Sequence, residues 1–350
     1  MTCQHDCRCQ QSADMPQING VALQTQTPTV IPRLREALPM SEKSSNVFIA
    51  RGDGFVQRVR TLLEPMSEME RRSIRAVPLR PDGNFDGWAA APVDDVLTVI
   101  ETAWFPELIN ARALHCHMQP IASANDLTVH GFEALTRVLP SFGDYQPDHI
   151  IRAAKAHDAL LKFDQIARRA AITGCYPKLQ DGERLFINFF PTTIYDPKVC
   201  LRTTFQAAAQ IGADISRLTF EVVESEEFPD IDHLKWVLDA YRDVGAKVAL
   251  DDLGAGNTSV VFIDELSPDY IKLDKKLLKS AVQSGHFNIL QGLTDHAHDK
   301  GISVIAEGIE TAEEIEIARR LKIEFVQGYY IARPSEQPTR QVGPDRSAAA

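Results

Sequence analysis

Polar side chains recur at one place in this sequence, the trailing end of short β-branched or aromatic runs. Glu133 stands late in the run Val129–Arg137, Asn188 ends Leu185–Asn188, and Glu221 lies in Leu218–Val223 with Glu224 just beyond. Asp251 and Asp252 close the run that starts at Lys247, and Lys272 and Asp274 lie on and just after Tyr270–Leu273. Glu307 and Glu310 follow Ser303–Ala306, and Gln327 ends Glu324–Gln327. Carboxylates gathered this densely would repel one another and be driven to protonate unless cations sat between them. Oxygen donors with no His–Cys set favour a hard divalent ion, Mg²⁺ or Mn²⁺, over structural zinc. The adjacent pair Asp251–Asp252 can serve two ions with one carboxylate bridging. Two such ions can clamp the attacking and leaving oxygens of a phosphodiester displacement. One lysine amid the acids can orient the attacking water or help to ionise it.

The elements that must position these groups alternate at a regular pace. From about Ala111 to Pro334, short apolar runs alternate with amphipathic segments such as Ile150–Ile172 and Phe287–His298. That alternation predicts βαβ units and a parallel sheet. With His115–Ile121 and Val129–Arg137 the runs reach eight, which fits an α/β fold of the (β/α)8 TIM-like type. In such a barrel the C-terminal strand ends converge on one face, where barrel enzymes carry their sites. The flanking segments read differently. Residues 1–45 are polar and predict a disordered tail carrying Cys3, Cys7 and Cys9. Residues 46–110 predict a small regulatory or linker region, largely helical or irregular. Val56, Val59, Leu62 and Leu63 mark one short helix in it, and a second runs from Val93 to about Phe105, ended by Pro106. The barrel is expected over 111–336 and a frayed tail over 337–350.

Several motifs in register carry a resemblance. Gly131-Phe-Glu-Ala-Leu-Thr-Arg137 resembles the signature of the EAL family of cyclic di-GMP phosphodiesterases. Gln119-Pro-Ile121, Asn188-Phe-Phe-Pro191, Glu221-Val-Val-Glu-Ser225 and Asp251-Asp-Leu-Gly-Ala-Gly256 follow the same pattern, as do Lys272-Leu-Asp274, Ala306-Glu-Gly-Ile-Glu310 and Gln327-Gly-Tyr-Tyr330. The resemblance implies a barrel whose first strand can run antiparallel, and hydrolysis of cyclic di-GMP to linear pGpG with Mg²⁺ or Mn²⁺. It implies that Glu133, Asn188, Glu221 and Asp251 ligate one ion and that Asp251 and Asp252 serve a second, with Glu310 near it. Lys272 and Glu307 would hold and activate the water, and Glu224 would brace the loop after Asp251. Gln119, Leu135, Arg137, Pro191, Asp274 and Gln327 would contact substrate. A homodimer built near residues 253–264 is also implied. The sequence departs from the family pattern at Leu253, where a Phe is usual, and at Asn257, where a Tyr is usual.

Plainer readings stand beside these. Lys272 can be a salt-bridge partner for Asp274, and Glu310 a first-turn acid favoured by a helix dipole. His115 and His117 read as core-edge residues. The N-terminal cysteines read as free thiols rather than a metal site, because no second cluster supplies paired spacing. A net charge of −11 argues against a nucleic-acid polymer as partner. The absence of a long apolar run and of a secretory leader pattern predicts no membrane span and a cytoplasmic protein. No cyclase motif is evident. The rival to an enzyme is a non-catalytic cyclic di-GMP receptor acting through a protein partner.

Overall fold

The computed structural model describes residues 18–39, 46–80, 90–222, 230–253 and 260–343. The chain divides into two compact units, one of residues 1–111 with 145–160, the other of residues 112–144 with 161–350. Among the described residues no helix is long and apolar enough to cross a membrane.

The first unit is built on strands β1 (Gly20–Gln24), β2 (Val47–Arg51), β3 (Arg75–Leu79) and β4 (Ala91–Pro92), in the order β2-β1-β3-β4. Helices α1 (Ile31–Ala37), α2 (Phe55–Leu63), α3 (Glu68–Arg72), α4 (Val93–Glu101), α5 (Phe105–Ala111) and α6 (Pro147–Ala156) complete it. All its strand pairs are antiparallel. Val21 and Leu23 of β1 are fully buried in a core with Leu34, Phe48, Val59, Ile74 and Leu97. This corrects one expectation and adds to another. Residues 18–39 are not a disordered tail, and the N-terminal region, largely helical as expected, also carries a four-stranded sheet. The physical reason is that β1 is satisfied only by partners lying well along the chain, so its five residues carry little local signal. The expected helix from Val93 breaks after Glu101, and Pro106 falls in the first turn of α5 instead of ending α4. Proline suits a first turn because its missing N–H would have no partner there.

The second unit is a closed barrel. Its strands are β5 (Leu114–Ser123), β6 (Val129–Val138), β7 (Arg184–Phe189), β8 (Leu218–Val222), β9 (Lys247–Leu253), β10 (Tyr270–Leu273), β11 (Ser303–Ala306) and β12 (Phe325–Val326). β5 runs antiparallel to both neighbours, β6 and β12, and every other pair is parallel. Helices α7 (Leu160–Cys175), α8 (Pro197–Cys200), α9 (Arg202–Gln210), α10 (Ile231–Arg242), α11 (Val260–Leu266), α12 (Lys275–Ser284), α13 (Asn288–Asp299) and α14 (Ala312–Arg320) lie between strands. The amphipathic segment over 150–172 forms two helices, α6 and α7, parted at Asp158, whose φ is +49°. α6 folds with the first unit. The tail also differs from its expectation. Ser335 exchanges backbone hydrogen bonds with Met118 of β5, and Arg340 pairs with Glu183 at 2.6 Å, so order extends past residue 337.

Alternation along each strand sorts the barrel interior into layers. One layer is an apolar plug of Ile121, Phe186, Ala249, Tyr270 and Ile305, with Phe325 packed against it. Two residues further towards the mouth on the same strand faces stand Gln119, Asn188, Asp251, Lys272, Glu307 and Gln327. Burying a ring such as Phe186 is worth roughly 2–3 kcal/mol, so the plug fixes the floor on which the polar layer rests.

His130 stacks on Phe325 at 4.1 Å, and its Nε2 lies 3.2 Å from the Tyr270 hydroxyl. Burial first, and the nearby Arg184 second, push its pKa from 6.5 to about 4. The unfolded chain therefore takes up this proton at higher pH than the folded one does, and stability drains away as pH falls from 6.5 towards 4. The effect amounts to about 2 kcal/mol at pH 5. Urea denaturation at pH 7.5 and pH 5 should show a smaller acid loss in His130→Gln than in the wild-type protein. Equal losses would refute this assignment.

Candidate active site

Lys272 is the centre of the polar layer. It lies on β10, its side chain is 1% exposed, and it faces four carboxylates. Its Nζ is 2.7 Å from Glu307 Oε1, 3.0 Å from Asp251 Oδ1, and 3.3 Å from both Glu133 Oε2 and Glu221 Oε1. Burial opposes its charge, but these acids outweigh burial and hold its pKa well above the ordinary lysine value. The sequence left open a pairing of Lys272 with Asp274. Asp274 instead caps α12, where its Oδ1 accepts the Lys276 N–H at 2.7 Å.

Glu133 is the best-solvated acid in protein terms. Asn188 Nδ2 donates to its Oε1 at 2.7 Å, and Gln327 Nε2 donates to its Oε2 at 2.7 Å. Burial opposes ionisation, yet Lys272 and the two amides prevail and lower its pKa. Gln327 Nε2 also reaches Gln119 Oε1 at 3.2 Å, and Gln119 Nε2 reaches the Ala332 carbonyl at 3.4 Å. With Nδ2 engaged by Glu133, the amide oxygen is the atom that Asn188 can offer a cation.

The other acids are poorly satisfied. Glu221 is fully buried, and neither of its oxygens has a hydrogen-bond partner among the described residues; the 3.3 Å approach of Lys272 is an ion pair without hydrogen-bond geometry. Burial pushes its pKa well above the usual carboxylate value. Burial likewise raises Asp251, and it raises Glu307 to about 8. One ammonium cannot balance these carboxylates, and the orphaned Glu221 oxygens need a cationic partner. Among the described residues, two groups place candidate ligand atoms within 4.8 Å of one another: Glu133, Glu221 and Asp251; and Asp251, Asp252 and Glu307. An all-oxygen set of this kind fits a hard divalent ion.

Asp251 belongs to both groups because of a local irregularity. Adjacent strand residues normally point to opposite faces. Here Ile271 pairs with Leu250 but Leu273 pairs with Leu253, so β9 carries one extra residue against β10. Asp252 takes up the slack with φ +54°, a left-handed conformation that aspartate tolerates better than most residues. The bulge thus turns two consecutive carboxylates towards the same side.

Two glycines fix the rim. A Cβ on Gly328 would meet Ile309 N and O at 2.2 Å. Gly308 has φ +65°, and a Cβ there would strike Lys275 Cβ at 2.3 Å. The contact is close because Ile309 N–H donates to Gln327 O at 3.0 Å and Tyr330 N–H donates to Ile309 O at 2.9 Å, which ties Glu307 to Gln327. The sequence reading passed over both glycines. Their place directly after Glu307 and Gln327 was the available signal.

Of the remaining expected residues, Leu135 and Arg137 follow Glu133 at alternate positions on β6 and are half-buried, with Arg137 Nη1 donating to the Thr136 carbonyl at 2.8 Å. Pro191 is buried at the turn after β7. His115 and His117 are half-buried, their rings 5.3 Å apart. Glu310 is not drawn into either acidic group; it is half-exposed and pairs with Lys279 at 2.9 Å, which lowers its pKa. Glu224, Asn257, Cys3, Cys7 and Cys9 lie outside the described residues.

The barrel resembles known proteins. The EAL domain family model matches residues 102–334. Over 231 residues the chain is 29% identical to the cyclic di-GMP phosphodiesterase NbdA of Pseudomonas aeruginosa, a match covering 63% of this chain and 29% of that protein. Over 241 residues it is 29% identical to the probable cyclic di-GMP phosphodiesterase PdeG of Escherichia coli, covering 65% of this chain and 47% of that protein. The matches therefore span less than half the length of these curated relatives. Among solved structures, the c-di-GMP-bound form of a standalone versatile EAL protein from Vibrio cholerae O395 aligns with a TM-score of 0.59 and 27% identity, over 67% of this chain and 97% of that one.

The raised pKa of Glu307 has a measurable consequence for the metal-free protein. Between pH 4.5 and about 8 the folded state keeps a proton on Glu307 that the unfolded chain has released. Stability therefore falls as pH rises through that window. In EDTA the melting temperature should drop from pH 5.5 to pH 8, and Glu307→Gln should flatten the drop. A variant whose melting temperature falls as steeply as the wild type's would count against the raised pKa.

Proposed function

Because the chain belongs to the EAL domain family, we propose that its barrel hydrolyses cyclic di-GMP to linear pGpG with two divalent cations, Mg²⁺ or Mn²⁺. The observation that carries the reading is the single buried ammonium of Lys272 among four carboxylates, with both Glu221 oxygens left without a hydrogen bond. Glu133, Asn188, Glu221 and Asp251 would hold one ion, and Asp251 and Asp252 the second. When bound, the ions neutralise the acids and polarise the scissile phosphate. Water attack forms one P–O bond and breaks the P–O3′ bond, leaving a 5′-phosphate and a 3′-hydroxyl. Glu307 is the carboxylate we assign to take the proton of the attacking water; Lys272 orients that water, and the positive charge of bound ions would bring Glu307 to the ionised form that Lys272 alone does not hold. Arg137 supplies a cation to a phosphate oxygen, and Gln119, Leu135 and Pro191 line the nucleotide's path. Glu224 is retained as the brace of the loop after Asp251. Asp274 and Gln327 are retained as outer supports of the substrate site, whereas Glu310, paired with Lys279, is not assigned to the second ion.

The same reading extends to assembly and location. A homodimer through residues 253–264 is favoured by Val261, which is 57% exposed on α11. A cytoplasmic location follows from an intracellular second messenger as substrate.

The test is purified protein with cyclic di-GMP and either ion, followed by chromatography for pGpG. Glu133→Ala and Lys272→Met should each lower kcat by ~10²-fold or more while circular dichroism stays unchanged. Tight nucleotide binding without product in Mn²⁺ would establish the receptor reading instead.

A further inference from the structure

A buried ion pair lies behind the metal-holding strands, and the reaction described above makes no use of it. Asp164 and Arg168, one turn apart on α7, are 1% and 0% exposed and pair at 2.6 Å. Both Arg168 Nε and Nη2 donate to Asp164 Oδ2. Arg168 Nη1 donates to Thr204 Oγ1 of α9 and approaches the Tyr241 hydroxyl of α10 at 3.5 Å. The pair therefore ties together α7, α9 and α10.

Its other side is the turn that leaves β7. Asp164 Oδ1 accepts the Phe190 N–H at 3.1 Å, and the Thr193 hydroxyl lies 2.9 Å from Asp164 Oδ2 and 2.7 Å from the Phe190 carbonyl. Phe190 is two residues beyond Asn188, and Pro191 follows it. Asn188 sits in register with Glu221 and is bonded to Glu133. Apolar side chains of similar volume commonly replace a buried ion pair with no loss of stability, so stability alone does not account for this one. What an apolar pair cannot supply is a charged, directional acceptor for the Phe190 N–H.

We propose that Asp164, oriented by Arg168, is a positioning residue that sets the end of β7 and thereby the amide of Asn188 for metal binding. The inference rests on the reading of Asn188 as a metal ligand. Groups that orient a ligand typically govern metal affinity by 10- to 100-fold.

The experiment is a Mn²⁺ titration of the full chain by electron paramagnetic resonance, which reads binding without turnover. Asp164→Leu/Arg168→Met removes both charges together and should keep a near-native melting temperature while weakening Mn²⁺ about tenfold. Asp164→Asn keeps an acceptor for Phe190 but strands Arg168. It should lower the melting temperature yet hold Mn²⁺ within about twofold, the opposite of what a merely structural role requires. Adding Asn188→Ala to the Leu/Met pair should cost less than about twofold further. Unchanged Mn²⁺ binding in the folded pair variant, parallel losses of stability and affinity in Asp164→Asn, or full additivity with Asn188→Ala would each overturn the proposal. Should the pair variant not fold, Thr193→Val removes one tether alone and should weaken Mn²⁺ about threefold, an unchanged affinity again overturning it. A wild-type protein that binds Mn²⁺ and shows these effects without hydrolysing cyclic di-GMP sinks the phosphodiesterase reading and leaves this one standing.

Discussion

Lys272 carries the one positive charge in a polar layer otherwise made of acids and amides, and the geometry of the site follows from that imbalance. A buried ammonium is tolerable only when it is paired, and Glu133, Glu221 and Asp251 pair it from β6, β8 and β9, with Glu307 from the residue after β11. Four acids around one cation leave an excess of negative charge that burial makes expensive. It shows as raised pKa values at Glu221, Asp251 and Glu307, while Glu133, which also receives two amide donors, stays low. The site is thus complete in its donors and short of positive charge, which is the condition in which a divalent cation binds strongly.

The barrel makes that concentration of charge possible. Six of the eight strands present an apolar residue to the plug and a polar one to the layer above it, so Phe186 and Asn188, Ala249 and Asp251, or Tyr270 and Lys272 are paired consequences of one alternation. The plug closes the barrel below the acids, which keeps the polar layer at low dielectric on that side and in contact with solvent only towards the mouth. Asp251 and Glu307 retain 15% and 19% side-chain exposure, whereas Glu221 and Lys272, nearer the plug, have essentially none.

Outside the strands, the supports of the site are backbone contacts and close packing. The glycine-mediated approach of Gly328 to Ile309 ties the ends of β11 and β12, and the Ser335–Met118 backbone pair extends the short β12 along β5. The Asp164–Arg168 pair does the corresponding work at β7. These are the places where a small displacement would reach the acids and amides of the polar layer without altering any of them.

The amino-acid sequence by itself determined the barrel and the convergence of its polar side chains. Strands β5 to β12 were legible because each is a short apolar run ended by turn residues, and Glu133, Asn188, Glu221, Asp251, Lys272 and Glu307 were legible because polar residues at barrel strand ends converge on one face. The first unit's sheet was not legible, since β1 depends on partners far along the chain and its five residues carry little signal alone. Tertiary structure alone decided which partner each polar group takes. Lys272 could have paired with Asp274 by proximity in sequence, but the pleat turns Lys272 inwards, and the start of α12 claims the Asp274 carboxylate as its cap. The bulge that turns Asp251 and Asp252 to one side, and the choice of Lys279 as the partner of Glu310, depend in the same way on register between strands and packing between elements. Those are long-range quantities that no local pattern of residues encodes.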